Sequence, residues 1–209
     1  MSADISPLAS PDALLAEVDE LAGLLTDVVG GGASLGFVEP FGHDDAVAWW
    51  ASQAAELAAG RLLVWVARGS GRVVGTIGLA PVHKPNGRHR AEIVKLMVRG
   101  DARGRGIARA LLAMAERAAA RAGLTLLLLD TETGSPAERL YRGAGWTRHG
   151  EIPGFATDPA GDLRSTTLFH KVIGPVRDAG GTAAPGSAPP RPGTAGERSR
   201  PSPPRSSRS

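Results

Sequence analysis

The segment Leu96-Met97-Val98-Arg99-Gly100-Asp101-Ala102-Arg103-Gly104-Arg105-Gly106-Ile107-Ala108 constrains this chain more than any other stretch. An apolar strand end runs into a loop of arginine and glycine, and the loop opens onto a helix whose stripe is Ile107, Leu111, Ala115, Ala118 and Ala122. A helix that begins this way leaves several N–H groups unpaired at its positive end. Glycine at 104 and 106 lets the chain turn tightly and an anion approach the backbone closely. A pyrophosphate suits that geometry, with Arg103 and Arg105 adding charge. Taken alone, the segment reads equally well as an ordinary connecting loop. No Gly-Lys-Ser/Thr is present, and no acidic residue follows a spaced G-x-G-x-x-G in a first βαβ unit, which argues against a P-loop or a dinucleotide fold.

Before this segment, Ser10-Pro11-Asp12 predicts a helix start, Leu14, Val18, Leu21, Leu25 and Val28 continue it, and Gly30-Gly31-Gly32 ends it. A second helix is predicted over 44–59. Strands are predicted over 61–67 and 72–81 around the turn Gly69-Ser70-Gly71, and again over 91–98. After it, the helix 107–122 closes at Gly123, and Leu124–Asp130 reads as a strand buried on both faces. A short helix opens at Ser135-Pro136 and ends near Gly145, and two strands follow near 146–151 and 165–172. The order α-α-β-β-β-α-β-α-β-β predicts one mixed α/β domain over 1–174.

From Pro175 the composition changes to Pro, Gly, Ser, Ala and Arg, with no Leu, Ile, Phe, Trp or Tyr. Such a stretch cannot bury enough surface to offset its ordering entropy, so 175–209 is expected to be a disordered tail. Six arginines stand against Asp178 and Glu197 there, a net of +4 against +3 for the full sequence, which leaves 1–174 at −1. The basic character therefore belongs to the tail, and the folded part offers nucleic acid nothing. The absence of cysteine excludes disulfides, thiolate metal sites and cysteine nucleophiles. His83, His89, His149 and His170 are scattered without metal-ligand spacing, so no metal is expected. The longest apolar run, Leu124–Leu129, is far short of the roughly 20 residues that span a bilayer. With no signal-like start either, a cytoplasmic protein without a membrane partner is expected.

Arg103-Gly104-Arg105-Gly106-Ile107-Ala108 resembles the R/Q-x-x-G-x-G/A signature of the GNAT acetyltransferases. Ala137-Glu138-Arg139-Leu140-Tyr141-Arg142-Gly143-Ala144-Gly145-Trp146 resembles that family's A-x-x-L-Y-x-x-x-G-F/W element, and the stretch between them holds one helix and one strand. The resemblance covers about 10–173. Ala108 stands where many relatives have glycine. Arg90–Val98, Leu129-Asp130-Thr131, Gly150–Ala156 and Thr166–Lys171 are similar to the branch containing the tabtoxin-resistance acetyltransferase.

The resemblance implies a mixed, mostly antiparallel central sheet flanked by helices, split in a V between the fourth and fifth strands. Acetyl-CoA would lie in that split. Leu96, Met97 and Val98 would bond its pantetheine amides, and Arg103, Gly104, Arg105, Gly106, Ile107 and Ala108 its pyrophosphate. The acetyl group would pass directly to a primary amine of a small molecule, such as a toxin or antibiotic. A protein N-acetyltransferase or a non-catalytic CoA sensor are the alternatives, and the family often forms homodimers. An alkyl amine is about 3.4 pK units too protonated at neutral pH, a cost of about 4–5 kcal/mol that a general base offsets. Tyr141, the only tyrosine, would be the acid at the departing sulfur; otherwise it is a core aromatic. Asp130 is a candidate base or amine anchor, or else an Asx-type cap on the loop 131–134. Glu92 is a second candidate base acting through water, or a merely solvated strand-start carboxylate. Acceptor specificity is expected from the connections 30–45 and 151–162, with Phe37, Phe41, Trp49 and Phe155 lining the pocket or filling the core.

Overall fold

Ser10 caps the first helix: its hydroxyl accepts from the Ala13 N–H at 3.1 Å, and Pro11 takes the first helical position. The computed structural model describes residues 3–174; the arginine-rich stretch 175–209 and its expected disorder lie outside the described residues. The single helix predicted over 10–30 is two, α1 (Pro11–Ala16) and α2 (Val18–Gly30), broken at Glu17. At the break Glu17 turns to meet Arg68 of the sheet at 2.7 Å, a tertiary pairing that local periodicity does not encode. A third helix, α3 (His43–Ala58), packs against both.

Seven strands form one sheet: β1 (Asp4–Leu8), β2 (Leu63–Gly69), β3 (Arg72–Pro81), β4 (Arg90–Val98), β5 (Leu126–Glu132), β6 (Thr147–Thr157) and β7 (Leu163–Val172). Their order is β1-β2-β3-β4-β5-β7-β6, and every pair is antiparallel except β4–β5. Strand β1 is absent from the predicted order. Its sequence, Asp-Ile-Ser-Pro-Leu, carries a proline that only an edge position tolerates, so it reads as loop until β2 is there to pair with it. The β2–β3 hairpin turns at Ser70 (φ 52) and Gly71 (φ 80), two left-handed residues as a type I′ turn requires.

Helices α4 (Ile107–Arg121) and α5 (Pro136–Gly143) cover one face of the sheet, and α1–α3 cover the β1–β4 half of the other. The α4 stripe follows Ile107, Leu111, Leu112, Ala115, Ala119 and Ala120, whereas Ala122, expected within it, is exposed. Helix α4 sits close to the sheet because Gly75 offers no side chain. A Cβ there would come within 2.9 Å of Met97 O and 3.1 Å of Leu111 Cδ1. Gly75→Val is therefore expected to cost about 2–3 kcal/mol by overpacking, read as a lower urea midpoint at unchanged slope.

Two departures from strand pairing place the site. Strands β4 and β5 pair only over Arg90–Glu92 and Leu126–Leu128, then separate, which is the split between the fourth and fifth strands. Strand β5 is also not buried on both faces as predicted. Leu127 and Leu129 are buried on the α4 side, while Leu126 and Leu128 are half-buried and Asp130 is exposed. No helix covers β5, β7 and β6 on that second face among the described residues, so its leucines floor a cleft rather than a core. Among the described residues no helix is long and apolar enough to cross a membrane.

Candidate active site

The loop before α4 ends at Gly106 with φ 78 and ψ 2, a left-handed N-cap that carries no capping side chain. The first helical bond runs from Ala110 N to Gly106 O at 3.0 Å, so the amides of Ile107, Ala108 and Arg109 have no partner within the helix. Gly104 (φ 77) bends the loop so that its backbone turns about the same end. Arg103 donates to Val98 O at 3.2 Å and Arg105 to Asp101 O at 3.1 Å. Neither forms an ion pair with a carboxylate among the described residues, whereas Arg72 and Arg99 are engaged by Asp101. The result is a cluster of amide donors and two unneutralised guanidinium groups at the positive end of a four-turn helix. Beside it, the β4 edge from Ile93 to Val98 faces the split and has no β5 partner, which leaves Leu96, Met97 and Val98 beside open space on that side.

The split widens into a cleft of about 470 Å³ walled by Glu92 and Val94 of β4, Leu126, Leu128 and Asp130 of β5, and residues of β6 and β7. Glu92 pairs with Leu128, so Asp130 stands one step further along the same face of the neighbouring strand. The Asp130 carboxylate is open to solvent yet flanked by leucines. Burial holds it above the ordinary carboxylate range, and the charge of Lys95 partly pulls it back. It does not cap the loop 131–134. Ser135 and Glu138 do that, with Glu138 N donating to Ser135 Oγ at 3.1 Å and Gly134 N to Glu138 Oε2 at 2.6 Å. Tyr141, 6% exposed, packs its ring 6.0 Å from both Trp146 and Phe169. Burial first, and then the Asp130 charge, push its phenol well above its usual range, so it is neutral at physiological pH. Its hydroxyl makes no hydrogen bond among the described residues.

The two connections expected to shape acceptor choice meet. Ser34 Oγ donates to Thr157 O at 3.2 Å and Glu39 N to Pro159 O at 2.9 Å, which ties the α2–α3 connection to the β6–β7 turn. Phe37, Phe41 and Trp49 are half-buried and stack on one another, with centroids 4.5 and 5.4 Å apart, while Phe155 is 51% exposed on a bulge of β6.

A helix start with unpaired amides thus lies beside an open parallel split. Residues 33–146 match the acetyltransferase (GNAT) family. The chain belongs to the GNAT family. A rat N-acetyltransferase 8B is 38% identical over 89 residues, 42% of this chain and 40% of that protein. Rat N-acetyltransferase 8F1 is 32% identical over 112 residues, 53% and 45% of the two chains. The chain thus spans less than half the length of these relatives. Among solved structures, phosphinothricin acetyltransferase of Sinorhizobium meliloti, in complex with acetyl-CoA, superposes with a TM-score of 0.69 at 18% identity, over 83% of this chain and 90% of that one. A ribosomal-protein-alanine N-acetyltransferase of Brucella melitensis does so at 0.62 and 23% identity, over 76% and 96%. At these identities the likeness is one of fold.

Within this GNAT domain Glu92 and Asp130 line one cleft, whereas Tyr141 lies in the core on the α4 side, outside the cleft lining, and feels the Asp130 charge from there. Three residues escape a reading of the sequence. His149 and His170, scattered along the chain, put their rings 6.0 Å apart on the cleft wall. His170 faces Leu128 and Thr147 through strand pairing, and His149 sits at a bulge between Arg148 and Gly150. Only that pairing shows their proximity. Lys95 is the third. Among the described residues no group of acidic residues and histidines is arranged to hold a metal.

Proposed function

We propose that this GNAT domain transfers the acetyl group of acetyl-CoA directly to a primary amine of a small molecule. The observation that carries this reading is the junction of two features: an uncapped, glycine-turned helix start and an unpaired strand edge that diverges from it along the split. Together they offer donors for a pyrophosphate and backbone partners for an amide-bearing arm, and the residues present fit both. Acetyl-CoA supplies the activated acetyl group. In this reading Arg103, Gly104, Arg105, Gly106, Ile107 and Ala108 hold the pyrophosphate, and Leu96, Met97 and Val98 align the arm. Asp130, its pKa raised by burial, takes the proton of the attacking amine, with Glu92 as the alternative base acting through water. Tyr141, kept protonated by burial, donates to the leaving sulfur. The tie between the α2–α3 connection and the β6–β7 turn, with a cleft of about 470 Å³, favours a small acceptor over a protein N-terminus.

Calorimetric titration with acetyl-CoA tests the first half, and thiol release on adding amines the second. Micromolar binding followed by amine-dependent release is expected. No binding by the folded protein would overturn the reading.

Asp130→Asn separates a functional carboxylate from a structural one. Activity should rise with pH as Asp130 ionises, and the variant should lose that limb and most of its turnover. The stability effect has the opposite sign. A carboxyl raised in the folded state favours folding when protonated and loses that advantage as pH climbs through its folded pKa. The replacing amide cannot ionise, so the variant should melt above wild type at pH 7 and no longer do so at pH 3. A variant less stable at both values would show that Asp130 is held for the fold.

A further inference from the structure

Strand alternation would send Lys95, between Val94 and Leu96, toward α4. A bulge prevents this. Thr76 pairs with Met97 and Gly78 with Val94, so Ile77 faces both Lys95 and Leu96, and Lys95 takes a left-handed φ of 49. That conformation is costly for a residue with a Cβ. It turns the lysine to the α3 side, where Val94 also points. There Nζ donates to Leu35 O at 2.6 Å and lies 4.9 and 5.1 Å from the ring centres of Phe37 and Trp49. Lys171, by contrast, meets Glu116 at 2.8 Å, whereas Lys95 forms no ion pair among the described residues. Burial disfavours its charge, and only the more distant Asp130 supports it.

A cation is thus brought by a strained backbone to a half-buried place without a counter-ion. Lys95 lines a hollow with Trp49, Trp50, Gly78 and Val94, and Val94 is shared with the cleft that holds Glu92 and Asp130. The other cation of that hollow, Arg61, is taken up by both oxygens of Glu56 at 2.7 and 2.8 Å. The groove therefore carries the carboxylates of Glu92 on β4 and Asp130 on β5 and, toward α3, one ammonium that forms no ion pair among the described residues. We propose that the acceptor bears a carboxylate beside its amine, and that Lys95 is the specificity-determining residue that recognises it. A single lysine matches a singly charged carboxylate better than a phosphate, which favours arginine forks or several donors. The proposal rests on the acetyltransferase reading and names the acceptor class for the same site.

Matched acceptors test it: L-phenylalanine against phenethylamine, and L-methionine against 3-(methylthio)propylamine, each assayed by CoA release. The two members of a pair differ in amine basicity, so the informative quantity is the ratio of kcat/KM within a pair, compared between wild type, Lys95→Met and Lys95→Arg. Wild type should favour the acids. Lys95→Met should lower the acid-to-amine ratio at least tenfold, mainly through KM, while Lys95→Arg keeps most of it. Acetyl-CoA affinity, measured alongside, should be unchanged in both variants, which shows that they fold. A ratio that Lys95→Met leaves unaltered, or a wild type that acetylates only the amines, would overturn the proposal and leave the acetyltransferase intact; Lys95 would then merely tie the α2–α3 connection to β4. Should no acceptor be acetylated, the CoA-loaded protein is titrated with the same pairs, and acids that bind no better than their amines also overturn it. Failure of wild type to bind acetyl-CoA would instead sink the underlying reading.

Discussion

Gly106→Asp is expected to weaken acetyl-CoA binding at least about 100-fold while leaving the apo-protein folded, with a stability loss of no more than about 1–2 kcal/mol. Two effects combine. Gly106 sits at φ 78, where a side chain costs about 1–2 kcal/mol, although no heavy atom lies within 4 Å of the added Cβ. The larger effect is a carboxylate among the amides that the reading assigns to a pyrophosphate. Losing about 2.7 kcal/mol is a hundredfold in Kd. The helix offsets part of the backbone cost, because an acidic group at its start complements the macrodipole. A folded protein that no longer binds is therefore the signature of an anion site. Gly106→Ala isolates the backbone contribution and should cost tenfold or less. If Gly106→Asp bound acetyl-CoA as wild type does, the pyrophosphate would have to lie elsewhere, and the role given to 103–108 would fall.

This loop is legible in the sequence because its signals are local. Glycines at fixed offsets, a strand before and an apolar stripe after suffice to set a helix start at Ile107, as serines do at Ser10 and Ser135. What stays hidden depends on partners distant in the chain. The edge strand β1 exists only because β2 accepts it. The five leucines around β5 look buried on both faces until it is known that, among the described residues, no helix covers β5, β7 and β6. His149 and His170 lie apart in sequence and meet through register. Lys95 is the sharpest case. Its place in an alternating strand predicts a side chain on the α4 side, and a two-for-one mismatch against Ile77 reverses it. Tyr141 is singled out by motif position, Asp130 by ending a leucine-rich strand and Glu92 by starting the central one. The structure adds surroundings to each: an open cleft wall for Glu92, leucine flanks for Asp130 and an aromatic cage for Tyr141.

Those surroundings decide what Tyr141→Phe should do. If Tyr141 protonates the leaving thiolate, kcat should fall about 100-fold or more, the usual scale for a lost general acid. Acetyl-CoA affinity should not change, because the reading assigns that binding to main-chain groups of β4 and to the α4 start. Stability should change little too. The ring keeps its contacts with Trp146 and Phe169, and the hydroxyl has no hydrogen-bond partner among the described residues to leave stranded. A buried phenol held above its usual range stays protonated across the working pH, so wild-type activity should show no alkaline limb from Tyr141 below about pH 10. The three readouts separate the alternatives. A core aromatic predicts unchanged kcat, and a CoA sensor predicts no turnover in wild type either. A kcat that falls alone, with binding and melting temperature held, would place the phenol at the chemical step.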